Sequence, residues 1–154
     1  MENSAMAHAY FSGIVETPPD TAWKIVRQFD GLPNWHPLVD RAVIEERESP
    51  QEVGAVRRQD LADGSQVAEK LLAIDELRRS YTYEFTDPGN IPVTRYRSTL
   101  RVTPITEIGH SLVEWYSTFD CASEDEEGLI KMLSDGVYAS GISSLREYLR
   151  TLSD

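Results

Sequence analysis

One cysteine in 154 residues, Cys121, leaves nothing to pair with in an intramolecular disulfide and points to a reducing compartment. No apolar run approaches the roughly 20 residues a membrane-spanning helix needs. The start, Met1-Glu2-Asn3-Ser4-Ala5-Met6, lacks the basic head and apolar body of a signal peptide. A soluble, cytoplasmic protein without stable membrane insertion is expected. Basic residues are scarce too: 15 Lys and Arg face 26 Asp and Glu, a net charge of -11. No nucleic-acid partner is expected, since gripping a phosphate backbone relies on basic patches that release counterions. No glycine-rich phosphate loop occurs, and His8, His36 and His110 fall on separate elements without metal-ligand spacing, so neither cofactor nor metal is expected. Ser98 lacks a nucleophile-elbow context and Cys121 an obvious base, so neither points to covalent catalysis.

What is present fits one domain over residues 7–154, long enough to bury a core unaided. Residues 1–6 read as a flexible tail or a cloning remnant. A strand is expected over 9–16, stopped by Thr17-Pro18-Pro19-Asp20. A helix follows, with Ala22, Ile25, Val26 and Phe29 on one face, a proline in its first turn and Gly31 at its end. Leu32 to Leu38, broken by Pro33 and Pro37 around Trp35, allows one further helical turn. From 39 to 119 six antiparallel strands are expected, separated by turn clusters such as Ala62-Asp63-Gly64-Ser65 and Asp87-Pro88-Gly89-Asn90. Over 94–102, Tyr96, Ser98, Leu100 and Val102 point one way and Arg95, Arg97, Thr99 and Arg101 the other. Over 80–86, Tyr81, Tyr83 and Phe85 share a face, which suits a roomy, partly polar interior.

The C-terminal segment, 124–152, reads as one long helix. Ser123 and Glu126 form a capping box, and Asp125 and Glu127 favour the positive end of the dipole. Its buried stripe is expected through Leu129 or Ile130, Leu133, Val137, Gly141, Leu145, Tyr148 or Leu149, and Leu152. Gly136, Ser140, Gly141, Ser143 and Ser144 are small for mid-helix positions, where glycine costs about 1 kcal/mol against alanine. Either the helix approaches the sheet closely there, or the missing side chains leave space for a ligand.

The polar residues on strand faces carry the functional question. Parity turns Tyr96 and Ser98 inward. Glu69, which shares a face with Val67 and Leu71, and Glu114, with Leu112 and Tyr116, lie on strands whose two faces are both mixed, so parity leaves them open. An odd-length loop at Asp63-Gly64 folds strand 54–61 onto strand 66–74 with Arg57 opposite Glu69. A buried carboxylate demands such a partner.

The order of elements, with Trp23 to Phe29, Leu32-Pro33-Asn34-Trp35-His36-Pro37, Val53-Gly54-Ala55-Val56-Arg57, Glu69-Lys70-Leu71, Tyr96-Arg97-Ser98-Thr99-Leu100 and Val113-Glu114-Trp115, resembles the START and birch-pollen-allergen (SRPBCC) superfamily. Within it the likeness is to the polyketide cyclase/dehydrase and lipid-transport group. The resemblance implies an α+β helix-grip fold: a seven-stranded antiparallel sheet curved around a long C-terminal helix, with two short helices between strands 1 and 2. Likeness to plant abscisic-acid receptors of this superfamily implies that Glu69, Tyr96, Ser98 and Glu114 line a cavity, with Arg57 close by. The receptors' gating loops are not matched at Leu61-Ala62-Asp63-Gly64-Ser65 or over 87–92, so hormone reception is not expected.

The expected partner is therefore a small apolar or amphipathic molecule. Its site would comprise Arg57, Leu61, Val67, Glu69, Tyr81, Tyr83, Phe85, Tyr96, Ser98, Glu114, Leu133, Val137 and Gly141. Reversible binding by a carrier or sensor is the first reading. The alternative is a cofactor-independent cyclase or dehydratase in which Glu69 or Glu114 moves protons and Tyr96 donates to a developing enolate. The third is an interaction module whose vestigial cavity is filled by the tyrosines. The Arg57–Glu69 pair also has a purely structural reading, in which it fixes register and does nothing else.

Overall fold

A computed structural model describes residues 6–45 and 49–152, so of the expected tail only Met6 lies among the described residues. Seven strands form: β1 (Ala7–Val15), β2 (Val39–Glu45), β3 (Val56–Leu61), β4 (Gln66–Asp75), β5 (Ser80–Asp87), β6 (Thr94–Ile105) and β7 (His110–Asp120). They make one antiparallel sheet in the order β1-β7-β6-β5-β4-β3-β2, a meander whose last strand takes β1 as its outer neighbour. Turn chemistry fixes the joints. In the β3–β4 hairpin, Asp63 accepts the backbone N–H of Ser65 at 2.9 Å and Gly64 adopts φ 89°, a conformation that favours glycine. That joint sets the register Arg57↔Glu69.

Between β1 and β2 lie helix α1 (Pro19–Val26) and a single 3₁₀ turn (Leu32–Asn34). Pro18 caps α1 and Pro19 opens it, where a missing N–H costs nothing. The helix stops at Val26 rather than at Gly31, as Arg27 donates to the Trp23 carbonyl and the chain turns. Phe29 therefore lies beyond the helix, yet it is buried, and its carbonyl faces the sheet.

The C-terminal helix runs as α2 (Glu126–Lys131), a π-helical stretch (Met132–Ala139) and α3 (Ser140–Leu152). Two expectations about it need correction. Ser123 is not a capping residue: it begins a 3₁₀ turn entered from Ala122, and no side chain caps that turn or α2. The regular stripe is also broken, because the buried residues are Leu129, Leu133, Tyr138, Gly141, Ile142, Leu145 and Leu149, while Leu152 is half exposed. Leu133 and Tyr138 are five apart, the spacing of a π turn. The extra residue rotates Val137 off the core line and brings in Tyr138, whose ring stacks on Trp115 of β7 at 4.9 Å.

Candidate ligand-binding site

Strand phase decides what the residues alone left open. On β4, Val67, Glu69 and Leu71 are all buried, so Glu69 faces the interior. On β7 the buried set includes Val113, Trp115, Ser117 and Phe119 in alternation, which turns Glu114 to the outer face. There its Oε2 accepts the Tyr10 hydroxyl at 2.7 Å. The placement of Glu114 on the cavity wall is thus corrected. Four inward neighbours set the phase of β7, and Leu112 and Tyr116 share the outer face with Glu114.

Arg57 and Glu69 face each other across β3 and β4 with Nε donating to Oε1 at 2.7 Å. Gln59, two residues along β3, donates its Nε2 to the same carboxylate oxygen at 2.9 Å. Arg57 Nη1 donates to the Phe29 carbonyl at 2.7 Å and more weakly to the Tyr81 hydroxyl at 3.4 Å. Its guanidinium carbon lies 4.0 Å from the Phe29 ring centre and 4.7 Å from that of Tyr83. Burial works against the arginine's charge, but Glu69 and the tyrosines outweigh it and hold the guanidinium protonated. Burial pushes the Glu69 carboxyl upward, with Arg57 and Gln59 opposing.

This cluster closes one end of a cavity of about 80 Å³. Tyr83, Phe85, Tyr96 and Trp115 give it an aromatic wall, Leu133 and Val137 contribute from the helix, and Val67 and Val39 from the sheet. Leu38, Leu61 and Ile91, each partly exposed, form its outer side. Burial raises the Tyr83 and Tyr96 hydroxyls well above their ordinary value, so both remain protonated donors. A second polar cluster lies behind the aromatic wall. Tyr96 and Tyr138 share a 2.6 Å hydrogen bond, Tyr138 donates to Ser117 at 2.7 Å, and Trp115 Nε1 donates to Tyr83 and Ser98.

Three more expected site residues do not line the cavity. Tyr81 sits behind Arg57, and Ser98 belongs to the second cluster. Gly141 lies under other side chains: a Cβ there would be 2.6 Å from His36 Cδ2 and 2.9 Å from Trp115 Cζ3. Close approach, not ligand space, accounts for that glycine.

Sequence reasoning passed over Gln59, Trp115, Leu32, Leu38, Val39 and Ile91. Gln59 and Trp115 were detectable by phase, from Arg57 and Val113. Leu32, Leu38 and Ile91 come from irregular segments that carry no period.

His36 is buried and lines the cavity. Its Nδ1 accepts the Leu38 N–H at 3.2 Å, so the proton is on Nε2, which donates to the Val137 carbonyl of the π-helical stretch at 2.9 Å. Burial lowers its pKa to about 4. Because this folded value lies below the unfolded one, the unfolded chain takes up the proton first as pH falls. Stability contributed by neutral His36 is complete above the unfolded pKa and is lost progressively down to about pH 4. Between pH 7 and pH 5 the native protein should lose about 2 kcal/mol more than His36→Gln. Urea denaturation at both pH values measures the difference, and equal losses would mean the ring is not held neutral.

Among the described residues no three His, Cys, Asp or Glu side chains gather into a metal site, and no helix is long and apolar enough to cross a membrane. Residues 6–150 match the sequence pattern of the family described as Polyketide cyclase / dehydrase and lipid transport. The protein XoxI of Bacillus cereus is 30% identical, over 96% of this chain and 99% of that one, with a TM-score of 0.84. A protein of Thermobifida fusca is 31% identical over 94% of each chain, with a TM-score of 0.83. Norcoclaurine synthase of Thalictrum flavum, solved with dopamine and hydroxybenzaldehyde, shares the fold at 15% identity and a TM-score of 0.76, over 96% of this chain and 88% of that one. No curated protein matches the sequence.

Proposed function

The chain belongs to the polyketide cyclase/dehydrase and lipid transport family, and from that premise we propose that it reversibly binds a small, mostly apolar molecule in the cavity, as a carrier or sensor. The observation behind this reading is the position of the Arg57–Glu69 pair. It borders an apolar, aromatic-walled cavity. Arg57, Leu61, Val67, Glu69, Tyr83, Phe85, Tyr96, Leu133 and Val137 would touch the ligand, joined by Gln59, His36 and Trp115. A cytoplasmic setting goes with the lone Cys121.

The geometry favours binding over acid–base turnover. Glu114, one of two candidate bases, lies outside, and Glu69 already accepts two hydrogen bonds on one oxygen from a charged and a neutral donor. An enzyme would have to work with Glu69 and Tyr96 alone. The cavity is also smaller than the roughly 300 Å³ or more of ordinary small-molecule pockets. Anything beyond a few atoms requires the outer side at Leu38, Leu61 and Ile91 to move apart.

Native mass spectrometry of freshly purified protein, followed by extraction, tests the proposal. A stoichiometric apolar molecule, or a compound that raises the melting temperature in a thermal-shift screen, is the expected result. Protein with no co-purifying molecule and no stabilising compound would overturn it.

A further inference from the structure

Two polar atoms at the closed end of the cavity have no hydrogen-bond partner among the described residues: Arg57 Nη2 and Gln59 Oε1. Their residues are at most 3% exposed, and both line the cavity. Leaving such groups unpaired in a low-dielectric interior is unfavourable, and native proteins seldom do so without reason. The orientation of the Gln59 amide is not arbitrary. Glu69 Oε1 can only accept, so the amide nitrogen must face it, which leaves the amide oxygen on the unpaired side. The closed end therefore offers one buried unpaired donor and one buried unpaired acceptor.

Charge narrows the ligand further. The Arg57 guanidinium is already balanced by Glu69, and among the described residues no other Lys or Arg lines the cavity. The one imidazole of the lining, His36, has Nε2–H committed to Val137 and Nδ1 to Leu38. An anionic head would thus bring an uncompensated negative charge beside the Glu69 carboxylate, a costly arrangement in a desolvated site.

Resting on the binding function proposed above, we infer that the cavity selects a ligand whose buried end is a neutral group that both accepts and donates a hydrogen bond. A phenol, an alcohol or a primary amide has this chemistry; an ionised carboxylate or a bare hydrocarbon end does not. The ligand's oxygen accepts from Arg57 Nη2 and its O–H or N–H donates to Gln59 Oε1. The aromatic wall takes the body.

Two shape-matched pairs separate the cases at neutral pH: phenol with toluene and benzamide with benzoate, titrated into the intact protein by calorimetry or ligand-observed NMR. Phenol or benzamide should bind about tenfold or more tightly than toluene and benzoate, the scale of one satisfied buried polar group. In Gln59→Leu the preference for phenol over toluene should shrink, since the substitution removes the ligand's acceptor together with the Nε2–H that donates to Glu69. Tighter binding of benzoate would overturn the neutral-head inference and leave the binding function standing. Equal binding of toluene would do the same by showing that the polar end is unused. If none of the four binds, the extracted molecule decides: a neutral donor–acceptor end supports the inference, and an anionic or wholly apolar end refutes it. No extracted molecule and no stabilising compound in the thermal-shift screen would sink both readings together.

Discussion

Arg57→Met is expected to lower the unfolding free energy by about 3–5 kcal/mol, because it removes one partner of a buried ion pair and leaves the other without compensation. Glu69 would retain only Gln59 as a hydrogen-bond donor, and the Phe29 carbonyl would lose the guanidinium that tethers the α1–β2 connection to β3. Glu69→Leu should cost a similar amount by stranding Arg57. The double variant Arg57→Met/Glu69→Leu should recover most of the loss, since replacing a whole buried pair by apolar side chains of similar volume is commonly close to neutral. Urea denaturation of the four proteins closes this cycle, and a double variant as unstable as the sum of the singles would show that the pair is not coupled. The double variant also separates two roles of the pair. If it folds and no longer binds the molecule that co-purifies with the native protein, the pair serves the ligand; unchanged binding would reduce it to a device for register.

The charges on β3 and β4 were legible in the sequence because a hairpin turns loop chemistry into register. Asp63-Gly64 fixes the count, and the count places Arg57 against Glu69. Tyr96 and Ser98 were equally legible, as β6 alternates cleanly with arginines on its outer face. Glu114 failed for a physical reason: β7 carries apolar residues on both faces, so likeness to a receptor family stood in for phase, and phase prevailed. Trp115, next in the chain, was the inward residue all along. The outer side of the cavity was least legible. Leu38 and Ile91 sit in irregular segments whose course is set by tertiary contacts, so no local pattern announced them. The C-terminal helix lies between these cases. Its existence followed from apolar residues at helical spacing, but the π-helical stretch shifts the buried face by one residue, which a constant helical period cannot represent. His36 occupies this shift, holding the Val137 carbonyl while its ring fills the place of a side chain at position 141.

Gly141→Leu should be strongly destabilising rather than cavity-filling. An added Cβ alone would lie 2.6 and 2.7 Å from His36 Cδ2 and Nε2 and 2.9 Å from Trp115 Cζ3, all well inside van der Waals contact. The neighbours have little room to yield. Trp115 is stacked on Tyr138 and bonded through Nε1 to Tyr83 and Ser98, while both nitrogens of His36 are engaged. Overpacking of this kind typically costs about 1–3 kcal/mol. A leucine, three carbons beyond the Cβ, belongs at or above the upper end, even after the roughly 1 kcal/mol that relief of glycine's helix penalty returns. Gly141→Ala should lie between leucine and the native residue. The fault should also show locally, because a displaced His36 releases the Val137 carbonyl and moves one wall of the cavity. Melting temperature and binding of the co-purifying molecule should therefore fall together across glycine, alanine and leucine. A leucine variant as stable as the native protein, with only its binding lost, would instead place position 141 on open cavity space.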